Sequence, residues 1–218
     1  MWLSLGINIF IPALVLMRFS TDQYLGPVRG LIVALLFPLL YGSFNLIKNK
    51  KVDFVAIIGL VGVLLTGGIG LLKLDPKWLA VKEAAIPFTI AITILISEKT
   101  KYPIVSNLVN KVIDKEKAES LIPPKFKKEY TRRLKFTTYL VASSFLLSAS
   151  LNYLLAKLLV KSQPGTETFN AELGRMTVLS YPVIVIPSLI ILVIAVIYLM
   201  SGIEKYTKVD LEEIIRKK

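Results

Sequence analysis

Residues 174–203 read GRMTVLSYPVIVIPSLIILVIAVIYLMSGI, and between Arg175 and Glu204 this stretch contains no charged side chain. A membrane span needs about 20 consecutive apolar residues. The stretch exceeds that length, so it reads as a transmembrane helix and makes the chain an integral membrane protein. Five further apolar runs precede it, at residues 2–17, 25–47, 53–72, 78–97 and 134–160. The first is the shortest. It lacks the basic segment before it and the small-residue cleavage site after it that a signal peptide would carry. Most of the connectors are too short to build a soluble fold. The expected architecture is all-α: six transmembrane helices arranged as three hairpins in one membrane domain spanning residues 1–218.

The composition agrees. Of 218 residues, 54% are hydrophobic and 19% charged, against about 45–50% and about 25% in soluble domains. Mean hydropathy is +0.64. The chain has no Cys and no His. Disulfides, thiolate nucleophiles, thiolate metal sites and histidine-based acid–base or phosphotransfer chemistry are therefore impossible within it. A metal site would need oxygen ligands alone. No cofactor or metal is expected, and binding or passage is a better expectation than enzymatic chemistry. No nucleic-acid partner is expected either, because no soluble domain is large enough to carry one.

Net charge is +12, from 27 Lys+Arg against 15 Asp+Glu. Lys48, Lys50 and Lys51 follow the second run, eleven cations lie between Glu98 and Lys135, and five follow the sixth run. Cationic loops stay in the cytoplasm. Both termini, the basic loop 98–133 and the tail 204–218 are then cytoplasmic. Within the loop, Ile104, Val105, Leu108, Val109, Val112 and Ile113 recur at helical spacing after Pro103. This predicts an amphipathic helix in the inner membrane surface. The basic loop should attract anionic lipid at about 1 kcal/mol per charge.

Small residues recur every fourth position at Gly26, Gly30, Ala34, Pro38 and Gly42, and again at Gly62, Thr66 and Gly70. Such seams let helices approach closely. The segment Thr66-Gly67-Gly68-Ile69-Gly70 also invites comparison with a phosphate loop or a carbonyl-lined filter. No Lys-Ser pair follows it, and it lies within one continuous apolar run. Ser144, Ser148 and Asn152 form a polar stripe on the fifth run. It reads as interhelical glue or as the wall of a cavity.

Ionisable residues at membrane depth are expensive and need explanation. Arg29, Lys82, Glu83, Glu172 and Arg175 all fall near the expected outer ends of their helices, as does Lys157. The openings Gly26-Pro27-Val28-Arg29, Leu79-Ala80-Val81-Lys82 and Glu172-Leu173-Gly174-Arg175 look alike, and each is followed by proline within its span. Three helix N-termini and three cations on one level would form an outward-facing site for an anionic group. The candidate substrate-binding residues are Arg29, Lys82, Glu83, Asn152, Glu172 and Arg175, with Asn8 beside Asn152. The alternative is that long basic side chains merely reach the headgroups. A carboxylate is too short for that, so Glu83 has either an ion-pairing role or a working one.

Two stretches carry a family likeness. One is Leu65-Thr66-Gly67-Gly68-Ile69-Gly70-Leu71-Leu72-Lys73-Leu74-Asp75-Pro76 with Trp78 and residues 82–87. The other is Phe169-Asn170-Ala171-Glu172-Leu173-Gly174-Arg175-Met176-Thr177 with Ser180-Tyr181-Pro182. Together they resemble an uncharacterised family of bacterial inner-membrane proteins sometimes labelled transporter-like. More distantly, the chain resembles the intracellular septation protein A family in its number of spans, in Lys50-Lys51-Val52, in Trp78 with Lys82, in Lys101, Pro103 and Ile104, in Asn152, and in Phe169 with Gly174. The longer 98–133 loop departs from that family. The outer-end cluster of Arg29, Lys82, Glu83, Glu172 and Arg175 points to a transporter or lipid-handling protein with an outward-facing site for an anionic group. The second resemblance implies a non-catalytic cell-envelope or division scaffold with envelope-protein partners.

Overall fold

The computed structural model describes residues 9–49, 54–112 and 120–209. The described residues are helical, with no strand among them. Helix α1, Ile11–Leu14, runs into a π-helical turn, Val15–Phe19. Helices α2 (Gly26–Asn49), α3 (Phe54–Leu71) and α4 (Lys77–Glu98) follow. The short α5, Ile104–Val112, precedes the long α6, Lys127–Leu159. Helix α7, Glu167–Ser180, passes through a π-helical turn at Tyr181–Val185 into α8, Ile186–Thr207.

Among the described residues, four helical stretches are long and apolar enough to cross a membrane: Gly26–Phe44, Lys77–Glu98, Pro124–Leu159 and Glu167–Thr207. Leu60–Leu71 is a shorter apolar helix. The expected first span, 2–17, lies partly outside the described residues, as do Asn8, Lys50, Lys51 and Ile113. The last two spans start earlier than expected. At α6 a 3₁₀ turn, Pro124–Phe126, leads directly into the helix, so the basic residues before Leu134 are already helical. At α7 the Thr166 side chain accepts from Phe169 N at 3.2 Å, and this N-cap sets the start.

Proline acts as its chemistry requires. It lacks the N–H that would bond the carbonyl four residues back. Pro182 falls in the π-helical turn, whereas Pro38 and Pro87 lie inside otherwise continuous α-helices. The Glu83 carbonyl therefore lacks its usual helical donor at position 87. Helix α3 is continuous through the glycine run, so that run is part of a helix wall and not a re-entrant filter.

The chain divides into two units. The first comprises residues 1–86 and 149–185. Its core joins Val15 and Leu16 of the first segment to Leu31 and Ala34 of α2, Ile69 of α3, Leu79 of α4, Ala156 of α6 and Phe169 of α7. Phe169 is wholly buried. Close approach depends on glycine at two points here. A Cβ on Gly30 would fall 2.7 Å from the Ser20 Cα, and one on Gly174 would fall 3.0 Å from the Ala13 carbonyl oxygen. The expected α2 seam thus packs at Gly30 and Ala34.

The second unit comprises residues 87–148 and 186–218. One core cluster sets Ile122 and Tyr130 against Leu199 and Ile203. Another sets Val105 against Ile94 and Ala142. The amphipathic helix α5 thus docks its Val105 face on protein, and its first N–H, from Ile104, is capped by the Ser97 hydroxyl at 3.1 Å. Leu108 on the same helix remains exposed.

Candidate functional site

Helices α3 and α4 form a hairpin through residues 72–76. Asp75 and Pro76 stop the turn and start α4: the Asp75 carboxylate accepts from Lys77 N at 2.9 Å, and Pro76, immediately before the helix, has no N–H to leave unpaired there. The Lys77 backbone N–H and its ammonium, 3.1 Å from the carboxylate, hold the Asp75 carboxyl below the usual aspartate range.

Lys82 lies about 8 Å into α4, at about 1.5 Å of rise per residue. Its ammonium is 2.6 Å from the Glu83 carboxylate. It also donates to Thr66 Oγ1 at 2.8 Å and to the Gly62 carbonyl at 3.5 Å, both on α3. Thr66 in turn donates to the Gly62 carbonyl at 2.9 Å. The Lys82 side chain is 11% exposed and that of Glu83 26%. A chain of polar contacts thus runs from Glu83 through Lys82 and Thr66 to the α3 backbone, inside an otherwise apolar hairpin. Neighbouring residues on a helix do not face each other. The pair forms because the flexible lysine stem turns toward α3 and brings its charge back over the carboxylate.

Glu172 is placed differently. Its Oε2 accepts from Lys161 N and Ser162 N, each at 2.9 Å, and its Oε1 accepts from the Ser162 hydroxyl at 2.8 Å. It clasps the turn between α6 and α7. Arg29 and Arg175 are exposed. Among the described residues, no hydrogen bond or ion pair joins either of them to Lys82, Glu83 or Glu172. Asn152 is half-buried on α6 and has a partner of its own. Ser144, on the same stripe, donates to the Val141 carbonyl of its own helix at 2.9 Å. Lys157 sits 5.6 Å from the Tyr153 ring centre, a cation–π contact along α6.

A cavity of about 350 Å³ lies between the two connecting turns of this unit, lined among others by Lys73, Asp75 and Gln163. The turns touch: a Cβ on Gly165 would stand 3.1 Å from Lys73 Cε. Lys82 and Glu83 are not part of its described lining.

Two residues outside the expected set stand out. Asn170 is wholly buried; its Nδ2 donates to the Pro27 carbonyl at 2.7 Å, tying the start of α7 to the start of α2. Its Oδ1 has no partner among the described residues. The other is Arg133, in the second unit. It donates to the Tyr198 carbonyl and, at 3.2 Å, to the Ser201 hydroxyl. Among the described residues, no group of three or more acidic side chains could hold a metal ion.

Comparison with protein-family models, with curated proteins and with solved structures gives no match.

Proposed function

We propose that this chain is an integral membrane protein that handles an anionic group, as a transporter or lipid-handling protein, with Lys82, Glu83 and Thr66 at its working site. One observation carries the reading: a lysine–glutamate pair bridged to a neighbouring helix lies within a hairpin whose surroundings are apolar. Ionisable groups at such depth mark pathways and sites by default. On this reading six helices form three hairpins with both termini in the cytoplasm, and Arg29, Glu172 and Arg175 border the outer face. An incoming anion must compete with the Glu83 carboxylate for the Lys82 ammonium. The function is binding or passage, not covalent catalysis.

The test is to neutralise Arg29, Lys82 and Arg175 one at a time in a strain lacking the wild-type gene, with membrane levels matched by immunoblot. Loss of complementation at normal expression supports the reading. Full complementation by all three variants overturns it.

A second reading, a non-catalytic envelope or division scaffold, draws on a different observation. Glu172 and Lys82 have their hydrogen bonds satisfied inside the protein, as structural charges would. It predicts that the same variants lower the folded amount in the membrane, and that cell-division or wall-synthesis proteins co-purify with the chain.

A further inference from the structure

Arg133 stands where the basic segment meets the apolar part of α6, one residue before Leu134. Its guanidinium lies 4.1 Å from the Tyr198 ring centre and 5.9 Å from that of Tyr206. The Nη1 group is committed to the Tyr198 carbonyl and the Ser201 hydroxyl. Gly202 packs against the Cδ and Nη1 side of the group, where an added Cβ would come within 2.4 Å of Nη1 and 2.7 Å of Nε. In a planar guanidinium the opposite edge is Nε with Nη2. That edge presents three N–H donors, and no acceptor among the described residues is bonded to it.

Arg133 also lines a cavity of about 550 Å³ together with Arg132, Lys135 and Tyr139. Ligand cavities commonly run from about 300 to about 1,000 Å³. Glu129 is the one acidic residue of the lining and makes no ion pair with Arg133. Three cations therefore face the cavity against one carboxylate, and tyrosines make up much of the remaining wall. Tyrosine with arginine at the end of an apolar helix is the chemistry of the headgroup layer. A free guanidinium edge matches two oxygens of a phosphate.

We propose that this cavity is a phosphate-group site, with Arg133 as its bidentate anchor and Arg132 and Lys135 as flanking cations. The phosphate is that of an anionic lipid headgroup or free inorganic phosphate, which share this chemistry. The site lies outside the Lys82–Glu83 hairpin and depends only on the membrane-integral part of the reading above.

The experiment measures lipid binding to the purified full chain in detergent by native mass spectrometry, with phosphatidylglycerol, phosphatidylcholine or inorganic phosphate added. Three variants are compared: Arg133→Gln, the pair Arg132→Gln with Lys135→Gln, and the exposed pair Lys127→Gln with Lys128→Gln, which lies outside the cavity. General attraction to a basic surface changes affinity about fivefold per charge, so it predicts about 25-fold loss in either double variant and only about fivefold in Arg133→Gln. A bidentate site reverses the order. Arg133→Gln then loses about tenfold or more, while the Lys127/Lys128 variant stays within about twofold of the parent.

Should Arg133→Gln fail to fold, the Arg132/Lys135 variant, whose side chains hold no described contact with α8, must still lose more than the Lys127/Lys128 pair. Preference for phosphatidylglycerol assigns the lipid source. Tight binding of phosphate alone, lost in Arg133→Gln, assigns the free anion. Equal loss in cavity and non-cavity variants, or no loss with Arg133→Gln, overturns the proposal. Extraction of the wild-type chain from membranes by alkaline carbonate instead overturns the membrane-integral reading, so the two failures are distinct.

Discussion

The Lys82–Glu83 pair can be dissected by a double-mutant cycle. Lys82→Met leaves a carboxylate without its cation, and Glu83→Gln leaves an ammonium with only Thr66 and the Gly62 carbonyl as partners. Breaking a fully buried pair costs about 3–5 kcal/mol. Lys82 is 11% exposed and Glu83 26%, so solvent screens part of this, and about 2–3 kcal/mol is expected for Glu83→Gln. Lys82→Met should cost about 1–2 kcal/mol, because the carboxylate left behind reaches more solvent. Removing both charges also removes the desolvation penalty of both, so the double variant should lie within about 1 kcal/mol of the parent. With the double variant near the parent, the coupling is then about 3–5 kcal/mol, at or above the upper end of the range usual for residues in contact. The assay is unfolding in mixed micelles by a denaturing surfactant, followed by Trp78 emission in a Trp2→Phe background. Single effects that add within about 0.5 kcal/mol would refute the energetic reasoning. The same four proteins separate the two functional readings. A double variant restored in stability yet inactive places Lys82 at a working site, whereas one restored in both respects makes the pair structural.

Gly30→Ala should destabilise by about 1–3 kcal/mol, since the new Cβ would meet backbone at Ser20, and a shift in the micellar unfolding midpoint measures it. Asn170→Ala removes the bond to the Pro27 carbonyl and should cost about 1–3 kcal/mol in the same assay. Asp75 has its folded pKa depressed by the Lys77 N–H and ammonium. Its contribution is therefore full above about pH 4 and lost as pH falls further. Trp78 emission in the Trp2→Phe background should report loosening of the α4 start on acidification, and Asp75→Asn should abolish that acid transition.

Much of the fold is legible in the chain because hydrophobic run length is a local property. The runs at 25–47, 78–97 and 174–203 coincide with helices long and apolar enough to cross a membrane. Helix ends were harder to read. Residues 127–133 are polar yet helical, because a helix leaving an apolar layer continues for as long as propensity and packing allow. Tyr130 is buried against the Leu199 cluster, and no pattern within residues 127–133 shows that contact. The Thr166 cap was readable from a Thr followed by Glu167 in the first turn. Hydropathy alone places the start of the run later, at Gly174.

The candidate site was legible one residue at a time but not in its pairing. Charge at depth draws attention to Lys82, Glu83 and Glu172, since an apolar neighbourhood makes any charge conspicuous. Which partner each takes depends on side-chain reach. Lys82 spans from α4 to Thr66, whereas Glu172 turns back to the N–H groups of the preceding turn. A carboxylate already accepting from two backbone N–H groups and a hydroxyl has little acceptor capacity left, and among the described residues no ion pair joins it to Arg175 three residues on.

Arg133 was obscured for the opposite reason. It lies among many cations whose number already explains orientation, so nothing in its local sequence sets it apart from Arg132 or Lys135. Its difference is tertiary: Tyr198, Ser201 and Gly202 lie more than sixty residues away. The signal that could have found it is the small residue Gly202 beside Ser201, one turn from both Tyr198 and Tyr206, on the helix that must pass the basic segment. A glycine between two tyrosines at a helix end makes room for a planar group, and arginine is the planar cation available. If that space exists to seat the guanidinium, Gly202→Ala should weaken the Arg133 contacts to Tyr198 and Ser201 and lower stability, while Gly42→Ala, where an added Cβ meets nothing, should not. Equal tolerance of both substitutions in the micellar unfolding assay would show that Arg133 is no more fixed than its neighbours, and that it is one topology charge among many.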